Sequence, residues 1–237
     1  MKTLYKTALF LALGALCMGI GTPLRAATIF DNSVNDLTYR FNPGTLEVGD
    51  QIVLAGTERY LTYFSFEYWG INTTHPTYFD STTIEARVRF YENTGDLYHG
   101  YATPSPTSLY DSDWFPVVSP TERSTFVFTE GVDFSYGGRF IPTDEITWSV
   151  QFQGMGTDDT VGVDLYSPPV TGSEVGDFGD YWQNNGTSWT LLTNSVPMDF
   201  AARFFANQTI PEPSTVTLSI LGGLGILTLA SRLRRKE

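Results

Sequence analysis

Ile84-Glu85-Ala86-Arg87-Val88-Arg89-Phe90-Tyr91 places an apolar side chain at every second position, with Glu85, Arg87 and Arg89 between them. A second stretch does the same. Ile146, Trp148, Val150 and Phe152 alternate with Thr147, Ser149, Gln151 and Gln153. Side chains on an extended strand point to opposite faces in turn, so this period of two predicts antiparallel strands with one buried and one wet face. A helix would need a period of 3.6, and no segment of the central chain sustains one.

The pattern spreads outward from there. Phe126 and Phe128, then Phe200, Ala202 and Phe204, repeat the alternation. Residues 60–69 form a longer run, aromatic on both faces, and read as a central strand. Shorter runs at 27–30, 36–41, 51–54, 161–166 and 189–192 bring the expectation to nine to eleven strands. Turn chemistry separates them: Asn42-Pro43-Gly44, Gly137-Gly138 and Asn184-Asn185-Gly186. The last predicts a tight hairpin joining 180–183 to 188–192. The fold class expected is all-β, a single antiparallel β-sandwich over residues 27–209. A jelly-roll is preferred to an immunoglobulin-like fold because the chain is long for one immunoglobulin domain.

The two ends have a different composition. Lys2 and Lys6 precede an uncharged apolar run over residues 7–20, and Pro23 breaks it before Ala26. That predicts a secretory signal peptide over residues 1–26. Cys17 is the chain's one cysteine and falls inside it, and the bulky Leu16 before it does not suit a lipid-attachment site. The mature chain is therefore expected to have neither disulfides nor thiol chemistry. At the other end, 19 residues without charge lie between Glu212 and Arg232. A transmembrane helix is expected at about residues 214–231. Arg232, Arg234, Arg235 and Lys236 follow as a basic stop that stays on the cytoplasmic side.

Pro211-Glu212-Pro213, the apolar span and the Arg-rich end together resemble the PEP-CTERM sorting signal of Gram-negative bacteria. The resemblance covers about the last 27 residues, 210–237, with Ile210 where such tails often carry Val. It implies an exosortase as partner, a membrane-embedded cysteine protease or transpeptidase that cuts near Pro211, Glu212 and Pro213. It also implies export, anchorage in the inner membrane before processing, then a cell-surface or extracellular location near exopolysaccharide. The two prolines suit such a cut, because they hold the backbone extended and block helix propagation.

Charge narrows the function of the central body. The chain has 14 basic and 26 acidic residues. The ends hold seven of the basic and two of the acidic ones, so the body carries 7 against 24, net −17, and every cation in it is arginine. Such a surface repels phosphate backbones, which excludes nucleic acid as a partner. Only His75 and His99 are present, each beside a turn and neither at zinc spacing. There is no nucleophile elbow and no phosphate-binding glycine loop. No catalytic residue is assigned, and the body is expected not to be an enzyme.

Two weaker patterns remain. Asp158, Asp159 and Asp164 form an acidic run of the kind that offers oxygens to Ca²⁺, though at no EF-hand spacing. Tyr181, Trp182 and Trp189, with Tyr166 and Phe178 nearby, could stack on sugar rings or fill a core. Three functions stay open on the sequence: a noncatalytic surface or matrix protein, a carbohydrate-binding module using those aromatics, and a hydrolase whose site is not legible.

Overall fold

The computed structural model describes residues 26–208 apart from Phe178. The signal peptide, the Pro211-Glu212-Pro213 motif, the transmembrane span, the basic stop and Phe178 lie outside the described residues. Within them the chain is all-β and antiparallel, without a helix.

The strands are β1 (Ala27–Asn32), β2 (Asp36–Phe41), β3 (Glu47–Val53), β4 (Tyr60–Asn72), β5 (Glu85–Glu92), β6 (Leu97–Tyr98), β7 (Tyr101–Ala102), β8 (Tyr110–Asp111) and β9 (Phe115–Pro116). They continue with β10 (Thr121–Thr129), β11 (Arg139–Phe140), β12 (Glu145–Gln153), β13 (Asp159–Tyr166), β14 (Ser173–Glu174), β15 (Asp180–Asn184), β16 (Trp189–Thr193) and β17 (Ala202–Asn207). Eleven of them have five residues or more, matching the upper end of the expected count.

The seven-stranded sheet is built around β4, the strand expected to be central. One edge of β4 pairs with β17 over Tyr60–Phe66 and then with β13 over Tyr68–Asn72. Its other edge carries β10 and β11. β1 lies outside β17, and β2 outside β13. The eight-stranded sheet runs β16-β15-β3-β12-β5-β8, with β14 on β3 and β9 on β5. The expected hairpin is β15–β16, with Asn184 opposite Trp189. Phe200 falls just before β17 rather than in it, and bridges to Leu165.

One core joins the sheets. Phe64 of β4 meets Phe204 at 4.7 Å and Phe128 at 5.6 Å on its own sheet. Across the interior it meets Phe90 at 5.0 Å and Trp148 at 5.4 Å. Phe64, Phe90, Trp148 and Phe204 are completely buried. The alternation predicted for β5 and β17 appears in their burial.

β12 departs from expectation. Thr147 and Ser149, read as wet-face residues, are fully buried. All but one residue of β3 are also buried, on both its faces. The connection from β5 through β6 and β7 lies over part of the outer side of the eight-stranded sheet, with Asn93 bonded to Thr147 and Tyr98 packed on Trp182. That is where the polar side chains described next collect.

Candidate functional site

Glu47 opens β3 and turns outward, since Val48, Asp50 and Ile52 take the inward positions. Its carboxylate is buried and fully engaged. Ser149 Oγ donates to Oε1 at 2.6 Å and Tyr91 OH at 2.9 Å. Arg89 Nη1 donates to Oε2 at 2.6 Å and Asn184 Nδ2 at 3.1 Å. The donors come from β5, β12 and β15, so one acid ties together the strands on either side of β3. Burial works most strongly against the Arg89 cation, but the Glu47 charge together with Tyr91 and Asp111 more than offsets it and holds Arg89 above its usual value. Burial and then the same charge push the Tyr91 hydroxyl up.

Beside this cluster lies an open groove of about 410 Å³, lined by Tyr91, Asp96, Thr103, Asn184, Ser188 and Trp189 among others. Trp189 is half-buried and braced edge-on by Tyr91 at 5.2 Å. The groove thus combines an aromatic wall with amide, hydroxyl and carboxylate groups. These are the groups that hold a polyhydroxylated ring without bond-making.

The three aromatics singled out in the sequence go to three different places. Trp189 lines the groove. Trp182 lies on the same outer face but is completely buried under Tyr98, and its Nε1 donates to Gln51 Oε1 at 2.7 Å. Its ring offers no face to a ligand, because the β6–β7 connection covers it. Tyr181 points the other way and packs on Phe41 at 5.2 Å.

The three aspartates likewise do not meet. Asp159 is buried at the start of β13 and accepts from Asn72 Nδ2 and the backbone N–H groups of Asp80, Ser81 and Gly156, at 2.7–3.0 Å. Burial alone would raise its pKa, and those four donors hold it below the ordinary range. Its role is to fasten two loops to the sheet. Asp158 is half-buried and accepts from Thr74 Oγ1 at 2.9 Å. Asp164 pairs with Arg40 Nε at 2.8 Å, and burial pushes it up to about 7 against that cation. Among the described residues, no group of three or more His, Cys, Asp or Glu is placed to hold a metal ion.

Asp164 belongs to a charged network on the outer face of the seven-stranded sheet. Tyr166 OH donates to Glu67 Oε2 at 2.6 Å, and Arg123 Nη1 donates to Tyr166 OH at 2.7 Å. A hollow of about 300 Å³ lies alongside, lined by Tyr63, Ser65, Glu67, Thr125 and Arg203. His75 sits 3.8 Å from Asp80 on an exposed loop and stacks on Tyr78. His99 occupies the β6–β7 turn with φ of 52°. Neither histidine lines the groove or the hollow.

Sequence reasoning found Trp189 but not Glu47, Tyr91, Asn184 or Asp96. Glu47 lies ahead of the strand expected at 51–54, whereas β3 starts at Glu47 itself. Tyr91 appeared only as the wet-face end of an alternating strand. No family model, curated protein or solved structure matches the chain.

Proposed function

We propose that this chain is an exported, noncatalytic surface protein. Its β-sandwich body binds extracellular polysaccharide in the groove beside Trp189. Its C-terminal tail is processed by an exosortase at Pro211-Glu212-Pro213. In this reading the protein is held in the inner membrane until that cut and then resides at the cell surface or in the matrix. The body is taken as a jelly-roll, because the long strands from β2 to β15 alternate between two sheets. The tail reading rests on the PEP motif, the apolar span and the basic stop in that order.

The observation that supports ligand binding is the placement of Trp189. A half-buried indole, braced by Tyr91 and facing an open polar groove, is a ready stacking platform for a pyranose ring. The test is a glycan-array and polysaccharide-retention screen of the intact protein, with and without Ca²⁺. Trp189→Ala is expected to weaken retention at least about tenfold, equivalent to roughly 1.4 kcal/mol. Unchanged retention in that variant, or no glycan bound by the native protein, would defeat the reading.

A further inference from the structure

The core of the eight-stranded sheet contains two acids that the proposed function does not use. Asp50 takes the inward position of β3 between Val48 and Ile52, and is 3 % exposed. Glu174 of β14 lies opposite Ile52 in the ladder, so its side chain leaves the sheet on the same inward side. Neither Glu174 oxygen is reached by solvent, and neither has a donor among the described residues. Asp50 stands two residues before Ile52 on that same face, so its carboxyl is the diagonal cross-strand neighbour of Glu174, within reach of a long side chain. Two ionised carboxylates are both acceptors, so nothing would join them unless a proton sits between.

We propose that Asp50 and Glu174 retain one shared proton, forming a buried carboxyl–carboxylate latch that joins β3 to β14 and braces the entry to β17. The brace is the Phe200 backbone N–H, which donates to Asp50 Oδ2 at 2.8 Å. That bond runs from the eight-stranded sheet to the segment leading into the seven-stranded one. The retained proton supplies the O–H donor that Glu174 lacks, and leaves an acceptor on Asp50 for Phe200.

The surroundings favour this state. The charges acting on the pair are those of the buried Asp199, from the segment entering β17, on both carboxyls and of Asp50 on Glu174; all are negative. Like charges on neighbouring side chains in a dry interior repel strongly. Burial first, then this repulsion, raises both carboxyls well above the ordinary range. The folded state therefore keeps a proton that the unfolded chain releases. That stability is complete below the ordinary carboxylate range and is lost as pH rises toward the raised value.

The test follows unfolding of the intact chain in mild detergent from about pH 5 to about pH 9, comparing the native protein with Glu174→Gln. The amide supplies a fixed donor in place of the proton. One retained proton makes the native unfolding constant rise about tenfold per pH unit relative to Glu174→Gln, until the pair ionises. Superimposable profiles would overturn the proposal. Should Glu174→Gln fail to fold, Asp50→Asn gives the same comparison, since its amide oxygen still accepts from Phe200. A Ca²⁺-dependent gain at high pH in the native protein, absent from Glu174→Gln, would also overturn it, by showing a cation where the proton is placed.

Discussion

Glu47 illustrates how much one side chain can organise. Its four donors include a cation and a hydroxyl from β5, a hydroxyl from β12 and an amide from β15. Removing a partner from a buried ion pair leaves the other charge uncompensated, typically at about 3–5 kcal/mol. Glu47→Ala should fall near the lower end, about 3 kcal/mol, because Arg89 Nε still reaches Asp111 at 3.2 Å. Urea denaturation would read that loss, and a change below about 1 kcal/mol would mean the cluster is dispensable. The same residue shows what a sequence conceals. Trp189 was visible because aromatics crowd the last hairpin. Glu47 and Tyr91 come from other strands, brought beside it by ladders between β3, β5, β12 and β15 that no local pattern encodes. Glu174 was hidden for a related reason: β14 has two residues, too few to show an alternation.

At the scale of elements, alternation made most of the long strands readable, because each has one face in the shared core. β4 carries the largest burden. It pairs with four other strands, and Phe64 at its middle touches rings from both sheets. Phe64→Ala would open a cavity where neither sheet can collapse without moving the other. A loss of about 3–5 kcal/mol is expected, measurable by denaturant titration; a loss under about 1 kcal/mol would contradict the single-core description. The short pieces β6 to β9, β11 and β14 were not anticipated. Two-residue strands are positioned by the ladders they dock on. β6 and β7 pair only with each other, and the outer face of β12 is buried rather than wet through side-chain contacts instead. Segment 93–105 covers it, with Asn93 Nδ2 donating to Thr147 Oγ1 at 2.9 Å.

For the whole molecule, the acidic balance and the ends make a joint prediction. Six of the body's seven arginines lie in ion pairs with Asp or Glu, so the cations are largely committed within the fold. The remaining negative charge favours a soluble, self-repelling surface. The last described strand, β17, completes its ladders with β1 at Ala206 and with β4 at Asn207, before the Pro211 motif begins. A chain ending at Thr209 therefore keeps every described strand. It is expected to remain soluble without detergent and to melt within about 2 °C of the same body in the full-length protein, since a shift that small corresponds to less than about 1 kcal/mol at this size. The comparison needs calorimetry of both forms in one buffer. Aggregation or a markedly lower midpoint in the shortened chain would mean that residues 210–237 contribute to the fold, and that they cannot be only an address for the export and processing machinery.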